Sequence, residues 1–293
     1  MHEIACQFGP EERLFGIVSQ PERPRIGAPA VLFLTAGLLH HVGPHRLYVQ
    51  AARQLNTLGF TALRFDLGDV GDSQPALPTY SLVERSVSEI GEAMDYLTSE
   101  YGIGEFIVCG LCSGADDALK IAAADKRVTG CVFLDAKGFR SVGFYPRHFL
   151  FHYLPRLFST QKWRHLIERH LHGKDEDDYS DVEFRSQMDQ NTMDQQLTEL
   201  VRRDVKLKFI YTGGASEFIN SHKQLPVMFP QASQSANMDM SYLPDSDHLC
   251  TLAKDRNKLC RLIAQWADSN FESLVSGDNA APVQDADDLL KSA

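Results

Sequence analysis

Six short apolar runs, at residues 30–35, 60–66, 106–110, 128–135, 207–212 and 238–243, constrain the fold more tightly than any other feature of the chain. Val, Ile, Leu and Phe follow one another in them without the in-and-out alternation of a half-exposed strand, so each reads as a strand covered on both faces. Between them lie stretches with helical spacing: Leu47, Ala51, Leu55 and Leu58, ended by Gly59; Val87, Ile90, Met94 and Leu97; and Leu259, Leu262, Ile263 and Trp266. Strands alternating with helices predict an α/β fold, a mostly parallel sheet with helices on both faces. Two alternating segments, 3–8 and 13–19, are separated by Gly9-Pro10-Glu11-Glu12 and read as an antiparallel hairpin at one edge, giving about eight strands in all.

One interval breaks the alternation. Residues 139–204 hold no strand-like run but many aromatic, His and Arg residues, which predicts a helical cap inserted into a core formed by 1–138 and 205–270. Residues 271–293 are rich in Ser, Gly, Asp, Ala and Pro and read as a mobile acidic tail. At 293 residues the chain can bury a large core without disulfides or a metal. Its six scattered cysteines therefore read as reduced thiols in a reducing compartment. The formal charge of -10, from 29 basic and 39 acidic residues, leaves no excess of cation for a nucleic acid. No apolar run is long enough to span a bilayer, and the first residues lack a basic start followed by an apolar stretch. The expectation is a soluble, cytoplasmic protein with no nucleic-acid or membrane partner, no cofactor and no metal.

The chemistry is concentrated after the strand at 106–110, in Gly110-Leu111-Cys112-Ser113-Gly114-Ala115 leading into a helix. A strand that turns sharply into a helix puts its middle residue in a strained conformation with the side chain exposed above the sheet, provided the flanking residues are small. Cys112 takes that position, and Ser113 stands one residue off it. The opening turn of the helix would lower the pKa of a thiol there, more so beside an imidazole. Cys112 could instead be a buried small residue, or pair with Cys109 for zinc or redox chemistry, but no second pair stands at metal spacing.

This elbow, together with the motifs that follow, resembles the α/β-hydrolase superfamily over about residues 25–270, with Cys in place of the usual Ser. The Gly-x-Cys-x-Gly form is similar to dienelactone hydrolases, and the long insertion is similar to capped bacterial hydrolases and thioesterases. The resemblance implies a histidine after the last strand, which is His248 in Pro244-Asp245-Ser246-Asp247-His248. It implies a carboxylate after the preceding strand, for which Glu217 is the choice and Asp135, at the end of 128–135, the alternative. It also implies an oxyanion hole from the backbone N–H groups of Leu38, in Ala36-Gly37-Leu38-Leu39, and Ser113. The turn Asp66-Leu67-Gly68-Asp69-Val70-Gly71-Asp72-Ser73 resembles the family's Asp-x-x-Gly-x-Gly-x-Ser, with Asp69 where Gly is usual, and takes a structural role. His40, His41 and His45 are candidates for substrate contact.

A thiolate that attacks a carbonyl forms an acyl-thioester. That exchange is nearly thermoneutral from a thioester and uphill from an ordinary ester or amide. The expected substrate is thus a small activated acyl compound, free or linked to a carrier or CoA, released to water or to another nucleophile. Phe144, Tyr145, Phe149, Phe151, Tyr153 and Phe158 in the insertion would wall the acyl pocket, and Arg140, Arg147, His148 and Arg156 would meet an anionic group. The competing readings are a binding protein that keeps the fold without the chemistry, and a ring-opening enzyme like the dienelactone hydrolases.

Overall fold

The hairpin forms as β1 (His2–Phe8) and β2 (Leu14–Gln20), and the apolar runs form β3 (Ala30–Leu34), β4 (Ala62–Phe65), β5 (Phe106–Leu111), β6 (Val128–Leu134), β7 (Lys206–Thr212) and β8 (Met238–Leu243). In a computed structural model, which describes residues 1–37, 39–75, 82–141, 143–145 and 188–271, they make one eight-stranded sheet ordered β1-β2-β4-β3-β5-β6-β7-β8. The β1–β2 and β2–β4 pairs are antiparallel and the others parallel, as the switch from alternating to continuous apolar sequence predicts. Every residue of β3, β4 and β5 is buried. β8 departs from that pattern: it is the edge strand opposite β1 and buries Leu243 alone among its residues.

The strands are joined by helices α1 (Leu47–Thr57), α2 (Leu82–Tyr101), α3 (Ser113–Ala124), α4 (Gln190–Arg202) and the single turn α5 (Leu225–Met228), and by short 3-10 turns, and α6 (Ala253–Asn270) follows the last strand. The sheet divides the core in two. Val31, Phe33, Ile107 and Cys109 face α1 and α6, while Leu32, Leu34, Phe106 and Val108 face α2, α3 and α4. That alternation is the two-residue period of a strand, and each fully buried Leu or Phe contributes about 1.5–3 kcal/mol. The helical stripes read from the sequence point inward: Leu47, Ala51 and Leu55, Ile90, Met94 and Leu97, and Leu259, Ile263 and Trp266 are all buried.

Between β6 and β7 the described residues include α4 and Phe144, which is buried. The rest of the expected cap, 146–187, and the expected tail beyond Phe271 lie outside the described residues, as does Leu38. None of the six cysteines forms a disulfide. Among the described residues no helix is long and apolar enough to cross a membrane.

Candidate active site

β5 delivers Cys112 to the C-terminal edge of the sheet with φ 56° and ψ -115°, a conformation that L residues adopt at a cost of about 1–3 kcal/mol. Two close approaches enforce it. A Cβ on Gly110 would lie 2.1 Å from the carbonyl oxygen of Gly114, and one on Gly114 would lie 2.7 Å from that of Leu34. The glycines let β5, α3 and the end of β3 meet, and the Cys112 N–H donates to the Leu134 carbonyl at 2.9 Å, which anchors the turn to β6. Cys112 itself is half-buried.

His248 stands in the loop between β8 and α6, as expected, with its side chain 36 % exposed. Its Nδ1 lies 2.8 Å from Oδ2 of Asp135, and the ring also makes a side-chain hydrogen bond with Cys112. With Nδ1 on Asp135, the nitrogen left for the thiol is Nε2. The hydrogen bond to Asp135, then that to Cys112, raise the pKa of His248 from 6.5 to about 9, against the opposing pull of burial. An imidazole in that state is protonated at neutral pH, so it faces the sulfur as a cation and favours the thiolate.

The carboxylate that meets His248 is therefore Asp135 and not Glu217. Asp135 follows β6 directly, at φ 44°, and its side chain is 1 % exposed. Glu217 is exposed, and what it contributes is its backbone oxygen, which accepts from Arg140 Nε at 2.8 Å. The physical reason is the length of the β7 loop: the turn at Gly213–Ala215 carries Glu217 outward, while the left-handed kink at Asp135 turns its shorter side chain up toward the neighbouring strand. Arg140 lies over the rings of Phe144 and Phe218, so its guanidinium packs on aromatic faces.

On the oxyanion side, Ser113 opens α3, where first-turn N–H groups have no acceptor within the helix. Its Oγ accepts from the Gly37 N–H at 2.8 Å and so ties the loop after β3 to the elbow. A second tie is Tyr48, which the sequence pattern did not single out. Its phenol donates to the Leu34 carbonyl at 2.8 Å and accepts from the Leu111 N–H at 3.2 Å, bridging the ends of β3 and β5. Burial, above all, holds that phenol well above its ordinary pKa, so it remains a donor.

No family model matches the chain, and no curated protein matches it in sequence. Solved structures do match. A serine hydrolase homologue from Coxiella burnetii aligns with TM-score 0.55 at 12% identity, over 90% of this chain and 96% of that one. An esterase from Pyrococcus furiosus aligns with TM-score 0.60 at 11% identity, over 92% and 91%. A proline iminopeptidase from Mycobacterium smegmatis aligns with TM-score 0.57 at 13% identity, over 92% and 98%. The chain has the α/β-hydrolase fold. At these identities the likeness carries architecture, and the chemistry rests on the site.

Within this α/β-hydrolase sheet a second cluster lies beside the loop after β3. Asp66, fully buried at the end of β4, accepts from the His41 N–H on Oδ1 at 2.5 Å, and on Oδ2 from His41 Nδ1 at 2.8 Å and the Asp72 N–H at 3.0 Å. His41, Asp66 and Asp72 bring possible metal ligands within 4.8 Å of one another, but the Asp66 oxygens already serve these N–H groups. The structural role expected for the Asp66 turn is thus a brace on the loop after β3, which the Gly37–Ser113 bond ties to the elbow. His41, expected as a substrate contact, is buried against Phe15 and the His40 ring.

Proposed function

We propose that the protein is a cysteine-dependent acyl-transfer enzyme acting on thioesters or comparably activated acyl compounds, with Cys112 as nucleophile, His248 as proton carrier and Asp135 as the orienting acid. The observation that carries this reading is the continuous contact from Asp135 through His248 to Cys112 at the mouth of a strained elbow. The thiolate attacks the acyl carbon, and the developing oxyanion turns toward the Ser113 N–H, with the Leu38 N–H as the expected second donor. The C–S or C–O bond to the leaving group breaks as His248 gives it a proton. Neutral His248 then takes a proton from water or another acceptor, whose oxygen, nitrogen or sulfur attacks the acyl-thioester and frees Cys112. The raised pKa of His248 suits the first half of this cycle, which needs an imidazolium at neutral pH.

The test is intact-mass spectrometry after exposure to a panel of acyl-thioesters, comparing wild type with Cys112→Ala. An acyl adduct or released acid in wild type alone supports the reading. Neither, across the whole panel, returns the protein to the binding-protein reading.

A further inference from the structure

β7 ends not in an acid but in Thr212, and we propose that Thr212 is a positioning residue, whose hydroxyl and backbone N–H hold the Asp135 carboxylate aimed at His248. The inference rests on the triad of the preceding section. Asp135 Oδ1 accepts the Thr212 N–H at 2.6 Å, and Oδ2 accepts the Thr212 hydroxyl at 2.6 Å. Both oxygens are therefore gripped by one residue of a rigid strand, which stops the carboxylate from swivelling about its Cβ–Cγ bond. Without the hydroxyl, Oδ2 would be held only by His248, the very group it has to aim. Oδ2 keeps a second lone pair for His248 Nδ1, at 2.8 Å.

The hydroxyl has a defined direction. It accepts from the Gly214 N–H at 3.0 Å and donates to Asp135, and the β-branched side chain in a strand restricts its rotamer. The Asp135 main chain is fixed from the same strand, its N–H donating to the Ile210 carbonyl at 2.9 Å. The turn after Thr212 reaches the histidine loop as well, because the Gly213 N–H donates to the Ser246 carbonyl at 2.8 Å. One short segment thus registers both members of the acid–histidine pair. Among the described residues, the titratable groups that act on this pair include the Cys112 thiol, the Tyr242 phenol and the Cys250 thiol. Burial first, and the Asp135 charge second, push the Tyr242 and Cys250 groups up, so both stay neutral near pH 7.

The decisive measurement is an NMR titration of the His248 ring in the full chain, which reads the pair whether or not the substrate class is right. Thr212→Val removes the hydroxyl and keeps the shape, while Thr212→Ser restores the hydroxyl. We expect the His248 midpoint to fall by about one pH unit in the Val variant, a tenfold change in proton affinity, and to return in the Ser variant. Acylation of Cys112 should fall about tenfold in parallel. An unchanged midpoint in a folded Thr212→Val protein would falsify the positioning role, even if its melting temperature drops. Should that variant not fold, the wild type decides: a Thr212 hydroxyl proton that is slow to exchange and moves with the His248 titration supports the role, and a freely exchanging one removes it. A wild type that takes up no acyl group, while the His248 midpoint still falls in Thr212→Val and returns in Thr212→Ser, counts against the proposed function and leaves the positioning role of Thr212 in place.

Discussion

The pair His248–Asp135 and the pair His41–Asp66 share one geometry, Nδ1 to carboxylate at 2.8 Å, in opposite surroundings. The His248 side chain is 36 % exposed and the His41 side chain 9 %. Asp135 receives its other donors from a threonine on the next strand, Asp66 from the backbone of its own turn and of the loop it braces. The ring of His248 goes on to a thiol at a strained elbow, whereas that of His41 lies against Phe15. A histidine–aspartate hydrogen bond alone is thus a structural part. On the proposed mechanism it becomes chemical when the far nitrogen meets a thiol and the ring meets solvent.

The comparison breaks most visibly on removing the rings. His248→Ala should slow acylation of Cys112 by about 10²- to 10⁴-fold, the usual share of a proton-transfer residue. His41→Ala should cost at most about tenfold and show itself in thermal melting instead. Mass-spectrometric time courses on both variants check this, and equal losses would erase the distinction. Next comes the pair of Asn substitutions. Asp135→Asn removes the largest cause of the raised His248 pKa. The imidazolium, present below its midpoint and lost above it, should then disappear at a pH well under the wild-type value of about 9. Losing a charge-assisted hydrogen bond of about 1.5–3 kcal/mol should slow acylation about 10- to 150-fold, as a pH–rate profile would show. Asp66→Asn places an amide N–H among N–H donors and should cost about 1–3 kcal/mol of stability, measured by denaturant unfolding, with the pH profile unmoved. The smallest effect is expected at Glu217→Gln, within about twofold in rate. A larger loss there would reopen the choice of acid.

Much of this was legible in the chain itself. Continuous apolar runs gave the parallel strands, and small residues at 110, 114 and 115 marked Cys112 as the strained point of the elbow. The place after the last strand points to His248, and the structure sets that ring against Asp135 and Cys112. The carboxylate that meets His248 is harder to read, because the contact joins residues 113 positions apart and depends on which strand end kinks toward the histidine loop. In the sequence, Glu217 and Asp135 are both carboxylates just past an apolar run. The left-handed backbone at Asp135, which separates them, leaves no mark of its own. Thr212 and Tyr48 were missed for a related reason: each acts through one hydroxyl at a strand or helix end whose pattern reads as ordinary core. For His41 a signal did exist, in the Asp66 turn that already looked structural, but nothing local says which loop such a turn will hold.

The site is spread over four consecutive positions of the sheet, with Cys112 after β5, Asp135 after β6, Thr212 closing β7 and His248 beyond β8. Until the edge strand has docked, Cys112 has no imidazolium beside it and is an ordinary thiol, mostly protonated at neutral pH with a pKa of about 8.5. Such non-local parallel pairing comes late and slowly as a chain folds. On the proposed mechanism nucleophilicity is therefore a property of the finished sheet: a nascent or partly unfolded chain should be chemically quiet, and the speed at which Cys112 is alkylated during refolding should be a clock for the arrival of its last strand.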